Sequence, residues 1–437
     1  MVVDYLYQFA NSPLCGYMLW GILIFYTALP LCIKIIKKVK IDYFNTGLVF
    51  RAVYFLYLGI PSFYYFFNKP PLSNYSVIFL NLVLYLSLVG LFAFDRGYAV
   101  DIKALLARHL ILPTFYQSHK KAILTVLFVA LSIICFIWFI TSVGGVGSYV
   151  ENWGKTGSLT KGKMYLLWGI MLAKSAFLVN FALSLNSNKR RSVLWLLPLG
   201  ILSYSIIFLF GARILVAIYL VECLVIFHYL KKPFSLKVIS LFAVIGFLAV
   251  VVLMGEARNH TWYQNMSFYD QIKMTLGSGK VYLNVLINSY FDSVRNFIII
   301  LDKTPSLFDF QWGRSYVDFL LRPIPYMYRP HILLHEEVLN QVFGGRILPL
   351  LGELFLNFNV FGIGIGVFSI GVIAKVNDTF IAVNKHSVFS VVLYASLLTA
   401  VMMWIRGSFA GHTPLFLMDF LSLLFFIYVI RRKSSKL

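Results

Sequence analysis

Apolar residues run along this chain in stretches of about twenty, separated by short polar breaks, and the stretches recur almost from end to end. A helix of that length covers the ~30 Å hydrocarbon core of a bilayer. The runs fall at 14–36, 47–67, 75–94, 122–143, 165–186, 193–210, 213–230, 238–255, 347–374, 387–405 and 415–430. They predict an all-α polytopic membrane protein with about eleven spanning helices. Its expected organisation is a bundle over 1–255, a large loop with short helices of its own over 256–346, and a second bundle over 347–437.

Composition agrees with that pattern. Charged residues make up 13% of the 437 residues, where a soluble domain carries roughly a quarter, and the mean hydropathy is +0.80. No internal repeat is evident, and no Pro-, Ser- or Gln-rich linker separates soluble domains. The net charge of +21 suggests nucleic acid at first sight, but the positions of the basic residues argue otherwise. They sit largely at alternate ends of the apolar runs, as a membrane topology requires, and no nucleic-acid partner is expected.

One set of connections holds Lys34, Lys37, Lys38 and Lys40; Arg96, Lys103, Arg108, Lys120 and Lys121; Lys189, Arg190 and Arg191; Lys231, Lys232 and Lys237; Lys375 and Lys385; and the tail Arg431, Arg432, Lys433 and Lys436. The positive-inside rule makes that side cytoplasmic, with the N-terminus outside and the C-terminus inside. Met1 to Tyr17 lacks a basic n-region and a small-residue cleavage site, so no cleaved signal is expected. Cys15, Cys32, Cys135 and Cys223 lie in or beside apolar runs without metal-ligand or CxxC spacing, and read as small core residues.

Two connections on the opposite side are long. Gly144 to Met164 is Gly-rich and polar, as a surface loop would be. The stretch from Gly255 to Arg346 must hold structure of its own. Within it Asn284, Asn288, Asp292 and Arg295 or Asn296 recur three to four residues apart among apolar neighbours. That spacing predicts an amphipathic helix lying in an interface or capping the bundle. Asp318 and Arg322 form an i,i+4 pair on a second short helix that Pro323 ends. The many charges of this loop nearly balance, and most read as a solvated surface.

Arginines at the ends of apolar runs are better candidates for chemistry. Arg213 lies between two such runs, Arg346 just precedes the ninth, and Arg406 ends the tenth. An Arg in lipid costs at least ~2.5–3.5 kcal/mol on insertion scales, so such residues face polar cavities or anions. Several guanidinium groups at one depth suit a phosphate or pyrophosphate, gripped through paired hydrogen bonds. Glu353 sits about two turns into the ninth run, with Asn357 four residues on and therefore on the same helix face. A carboxylate there needs a partner, and a structural pairing with an arginine competes with a catalytic role. His331 and His335 are spaced i,i+4, but HxxxHE is not HExxH, and no metal is expected. His335 and His412 remain general-base candidates alongside Glu353. Gly362, Gly364, Gly366 and Gly371 predict close helix packing in the ninth run.

The stretch from Gly344 to Gly362 (GGRILPLLGELFLNFNVFG) resembles bacterial oligosaccharide repeat-unit polymerases of the O-antigen polymerase (Wzy) type, in which a similar segment opens a span after the large periplasmic loop. Arg322 to Pro330 (RPIPYMYRP) looks like the Pro- and Arg-bearing segment that precedes it in that family. Sequence-level likeness covers 320–372 and, more faintly, Gly211–Arg213 and Arg406–Gly407. This chain departs from the pattern in three respects: Asn359 stands where Gly commonly follows, Tyr326 stands where an Arg is expected, leaving Arg322 or Arg329 to serve, and the large loop holds no Arg followed by ten residues and a Gly, a pattern of some members.

The resemblance implies a metal-independent membrane glycosyltransferase without a cofactor, acting at the periplasmic face of the inner membrane. Its substrates would be glycans linked to undecaprenyl pyrophosphate, with a chain-length regulator and a flippase of the same pathway as partners. A hydroxyl of the acceptor repeat unit attacks the donor's anomeric carbon and lipid pyrophosphate leaves. Positioning the hydroxyl and stabilising the leaving charge dominate such a step. Arg213, Arg346 and Arg406 are then the expected pyrophosphate ligands, with Arg322 and Arg329 in reserve, and Tyr326 and Tyr328 the expected sugar contacts. The rivals are an O-antigen ligase-like transferase, which differs in its acceptor, and a lipid-linked oligosaccharide flippase or other transporter. Transporters place charges near the midplane, whereas the charges of this sequence are expected at the outer surface.

Overall fold

The structure, a computed structural model, describes residues 8–39, 41–68, 77–102, 118–151, 163–187, 196–209, 213–235, 237–238, 241, 293–306, 309–321, 348–384 and 387–431. In chain order the helices are α1 (Pro13–Ile36), α2 (Thr46–Phe67), α3 (Val77–Tyr98), α4 (Ser118–Ser142), α5 (Gly145–Glu151), α6 (Met164–Asn186), α7 (Leu197–Leu209), α8 (Arg213–Leu230), α9 (Arg314–Leu321), α10 (Leu350–Val383), α11 (Val388–Arg406) and α12 (Phe409–Ile430). Residues 293–303 are also helical. The described residues contain no strand. Eight of these helices are long and apolar enough to cross a bilayer, and α7 and α8 are shorter apolar helices. The chain is therefore an all-α, multi-pass membrane protein. Most of the expected span 238–255 lies outside the described residues.

Two apolar cores meet at α11. One gathers α4, α6, α7, α8 and α12 around residues such as Val392, Tyr394 and Leu398; the other gathers α1, α2, α3 and α10 around Val401, Trp404 and Ile405. α11 is accordingly buried along nearly its whole length, whereas the peripheral α1 is mostly exposed. Helical residues 293–303 bury Val294, Phe297, Ile298 and Leu301 in the second core. This part of the large loop is packed into the bundle, where Ser293 Oγ donates to the Tyr57 carbonyl of α2 at 2.8 Å.

The ninth apolar run corrects its expected boundaries. A straight helix over 350–383 would be about 51 Å long, too long for one crossing. The helix breaks at Phe358 (φ −142°, ψ 23°) and Asn359 (φ 57°, ψ −152°) into α10a (350–357) and α10b (360–383). A methyl group on Gly362 would collide with the Leu354 carbonyl, and one on Gly366 with the Leu354 side chain. Residues 354 and 366 would stand about 18 Å apart in a continuous helix, so α10a doubles back along α10b. The spanning part begins at 360, and Glu353 lies on the short arm that precedes it. Further along, Gly371 meets the Phe94 carbonyl and Gly97 the Phe368 carbonyl, which brings the backbones of α3 and α10b together. Gly364 meets nothing.

Polar side chains tie the helices at three levels. At the end of the bundle away from the α11–α12 elbow, Asp378 of α10b accepts from the backbone N–H of Thr46 (2.8 Å), Asn45 Nδ2 (2.7 Å) and the hydroxyls of Tyr98 (2.7 Å) and Tyr394 (3.0 Å). It caps the start of α2, whose first N–H groups have no partner within the helix. Arg51 of α2 pairs with Asp95 of α3. At mid-height Lys174 of α6, fully buried, reaches Glu222 of α8 at 2.8 Å and Asp419 of α12 at 2.9 Å. These three correct the expectation that the charges gather at one surface.

Candidate functional site

The site expected from the sequence centres on Glu353, and its surroundings follow from the needs of a helix start. α12 begins at Phe409, and its first N–H groups must find acceptors outside the helix. Ser408, extended at φ −72°, ψ 145°, takes the N–H of Gly411 on its Oγ at 2.8 Å, as an N-cap does. Glu353 takes the N–H groups of Phe409 (2.5 Å) and Ala410 (3.1 Å). Both oxygens act as acceptors, as in an ionised carboxylate, and the side chain is fully buried. An anion at a partly buried helix N-terminus is worth up to ~2 kcal/mol. The carboxylate therefore fastens α10a to the elbow that joins α11 to α12.

That elbow carries two of the other candidates. Arg406 is the last residue of α11, and Gly407 caps it through its N–H to the Met403 carbonyl at 3.0 Å. His412 lies in the first turn of α12, its Nδ1 3.1 Å from the Ser408 carbonyl. The imidazole lies so close over Gly407 that a side chain there would collide with it. Glu353, Arg406 and His412 thus belong to one assembly.

Helix register brings position 213 to the same end. Glu222 Oε1 of α8 lies 3.1 Å from Thr399 Oγ1 of α11, and the Tyr229 and Tyr394 rings meet at 5.2 Å on the far side of that contact, so the two helices are antiparallel. From this shared level Arg213 lies nine residues up α8, about 13 Å, and Arg406 seven residues up α11, about 10 Å. His412 lies seven residues above Asp419 on α12, again about 10 Å.

Asn357 secures the other flank. Its Nδ2 donates to the Glu353 carbonyl (2.8 Å) and to Ser315 Oγ (2.7 Å), while its Oδ1 accepts from Gly313 N–H (3.0 Å). The N–H groups of Gln311 and Trp312 donate to the carbonyls of Leu356 (2.8 Å) and Asn357 (3.1 Å), which finishes α10a. Residues 311–315 of the large loop are thereby stitched beside Glu353. An aromatic wall follows: Tyr316 stands 6.1 Å from Phe358 and 6.0 Å from Phe409, and Trp404 4.9 Å from Phe409. Burial, and then the nearby Glu353 charge, push the Tyr316 phenol above its ordinary range, so it stays a hydroxyl at neutral pH. Trp312 and Phe361 present exposed rings.

Arg322, Tyr326, Tyr328, Arg329, His331, His335 and Arg346 lie outside the described residues, as does the side chain of Arg213. The described residues contain no cluster of three metal-ligating side chains. Sequence reasoning missed Trp312, Tyr316 and Phe358, whose segments come together through Asn357 and the backbone bonds of Gln311 and Trp312. It also missed Lys174, Glu222 and Asp419, although each is a charge inside an apolar run and was visible as such. No family model, curated protein or solved structure matches the chain, so neither family nor activity follows from comparison.

Proposed function

We propose that the protein polymerises oligosaccharide repeat units carried on undecaprenyl pyrophosphate, by glycosyl transfer at the periplasmic face of a bacterial inner membrane. What carries the reading is the tie between Glu353 and the elbow. The segment that resembles the polymerases ends on the same few residues that hold Arg406 and His412, with position 213 at a similar height. In this reading Arg213, Arg346 and Arg406 grip the pyrophosphate, with Arg322 and Arg329 available from the loop. Guanidinium groups neutralise the leaving diphosphate without a metal. Glu353, with both oxygens engaged by backbone N–H groups, suits a positioning residue. That leaves His412 and His335 as the general-base candidates. Exposed Trp312 joins Tyr326 and Tyr328 as a face for sugar stacking. A ligase-like transferase would use the same parts with a different acceptor.

A second reading, a lipid-linked oligosaccharide flippase or other transporter, is favoured by one observation, the charged cluster of Lys174, Glu222 and Asp419 at mid-span. Intramembrane ionisable groups mark ion pathways in many transporters.

The surface polysaccharide of a deletion strain, run on a gel, separates these readings. A polymerase deletion loses the ladder but keeps a single capped unit; a ligase or flippase deletion loses the capped unit as well. Complementation with Arg406→Ala at normal membrane level is expected to cut polymer formation ~10²–10³-fold, the usual effect of losing one electrostatic donor. A full ladder from that variant would remove the arginine mechanism.

A further inference from the structure

The mid-span cluster has no part in the proposed glycosyl transfer. Lys174 lies ten residues from one end of α6 and twelve from the other. Asp419 lies ten and eleven residues from the ends of α12, and Glu222 nine and eight from those of α8. All three are therefore at mid-helix. Lys174 is 1% exposed and Glu222 0%. One ammonium facing two carboxylates leaves an uncompensated negative charge in a dry interior. Burying such a charge costs several kcal/mol even after relaxation, and the usual escape is to bind a proton.

The hydrogen-bond arithmetic says where the proton goes. Asp419 is served as an anion chiefly on one oxygen. Its Oδ2 accepts from Lys174 (2.9 Å) and Ser396 Oγ (3.1 Å), while Ser175 Oγ stands 3.5 Å both from Oδ1 and from the Met171 carbonyl. Glu222 is served by Lys174 alone, which donates to Oε1 at 3.0 Å. Its Oε2 lies 2.8 Å from Lys174 Nζ yet off the line of a hydrogen bond, and remains without a hydrogen-bond partner. Oε1 also faces Thr399 Oγ1 at 3.1 Å, but that hydroxyl lies 2.9 Å from the Ser396 carbonyl and 3.2 Å from the Ala395 carbonyl as well. A hydroxyl has one hydrogen, so it cannot serve three acceptors. The conflict disappears when Glu222 is the acid: its O–H donates to Thr399 Oγ1, and Thr399 donates to its own helix.

We propose that Glu222 holds a proton and that Lys174, Glu222 and Asp419 form a net-neutral proton-binding site at the middle of the spans. The ligand is a proton taken from water, and its binding turns the Glu222 carboxylate into a carboxylic acid with no other bond changed. The elements packed around Glu222 bring no further charge among the described residues. α11 offers Ser396 and Thr399, and α7 offers Ser203, whose Oγ is engaged with Tyr219 at 2.6 Å. On α8 itself the neighbours are Tyr219 and Cys223.

The test is infrared spectroscopy of the purified full-length protein at neutral pH, in a detergent without ester groups. A carboxylic-acid carbonyl band is expected, shifting on exchange into heavy water and on carbon-13 labelling of glutamate but not of aspartate. Glu222→Gln, which keeps the shape and neutrality of the acid, is expected to abolish the band. Thr399→Val, a volume-matched change, keeps the band but moves it, because the acid loses its acceptor. Absence of the band from the wild-type protein, a response to aspartate labelling, or a band that survives in Glu222→Gln would each overturn the proposal. Should Glu222→Gln not fold, the glutamate label and the Thr399→Val shift decide alone: an unmoved band in Thr399→Val refutes the assignment.

Discussion

Replacing Glu353 by Ala tests the tie between α10a and the elbow. The substitution leaves the N–H groups of Phe409 and Ala410 without their carboxylate acceptor. Each buried donor so abandoned costs ~1–3 kcal/mol, hence ~2–6 kcal/mol for the two. Glu353→Gln keeps one acceptor oxygen but turns an NH₂ group toward a second donor, so it costs about half as much, ~1–3 kcal/mol. Ser408→Ala, the loss of an ordinary N-cap, sets the scale at ~1 kcal/mol. The assay is the unfolding midpoint of the purified protein in one detergent, followed by tryptophan fluorescence. Because membrane proteins often unfold irreversibly, the order of midpoints is the readout. Wild type is expected highest, then Ser408→Ala and Glu353→Gln, then Glu353→Ala. A Glu353→Ala midpoint equal to wild type refutes the tie. Polymer formation adds a second axis. A positioning role lets Glu353→Gln keep part of the activity, whereas abolished polymer with an unchanged midpoint makes Glu353 a reacting group.

Other substitutions probe the same architecture. Gly407→Ala puts a methyl group into the His412 imidazole; overpacking of this kind costs ~1–3 kcal/mol, and loss of polymer beyond the shift in midpoint is expected because the ring must turn away. Gly371→Leu drives a side chain into the Phe94 carbonyl, whereas Gly364→Leu enters open space, so immunoblots of membranes should show the first protein depleted and the second at the wild-type level. Asn359 holds φ 57° and ψ −152° at the break in α10, a conformation that glycine adopts freely; Asn359→Val is expected to lower the midpoint by the equivalent of ~1–3 kcal/mol, and Asn359→Gly to leave it unchanged or raised.

What the sequence made legible was whatever acts through local hydropathy. Apart from the ninth run, which is helical but broken and longer than expected, nine of the apolar runs are helical with boundaries close to those expected, because lipid exposure forces each run to satisfy its own backbone. Arginines at run ends were visible for the same reason. The break at Phe358 and Asn359 was hidden, because apolar residues continue on both sides of the Asn357-Phe358-Asn359 segment and none of the three is Gly or Pro. The Gly pattern in that run signalled close packing, yet not that Gly362 and Gly366 pack against Leu354 of the same run. Lys174, Glu222 and Asp419 were passed over, because each stands as a single charge in its own apolar run. Their partners lie 48 and 245 residues away in the chain, and only tertiary packing matches them. Glu353 shows the intermediate case: its need for a partner was clear, but nothing in the sequence pointed to the peptide N–H groups of Phe409 and Ala410 on another helix.

The buried charges also distinguish architecture from function. Removing one member of such a cluster leaves the others unpaired and typically costs ~3–5 kcal/mol, while replacing the whole cluster by neutral groups of similar size is often near neutral. Lys174→Met is therefore expected to deplete the protein from membranes, because Glu222 and Asp419 then face each other without a cation. The triple variant Lys174→Met, Glu222→Gln, Asp419→Asn removes every charge and should restore its level. Wild-type accumulation of Lys174→Met would refute the charge balance argued for this core. With the triple variant back in the membrane, the surface polysaccharide decides what the charges are for. A normal ladder means they only fix how α6, α8 and α12 meet. A folded protein that makes no polymer means that the mid-span proton belongs to the working cycle, and the two ends of α12, one at the elbow and one below Asp419, then act in the same process.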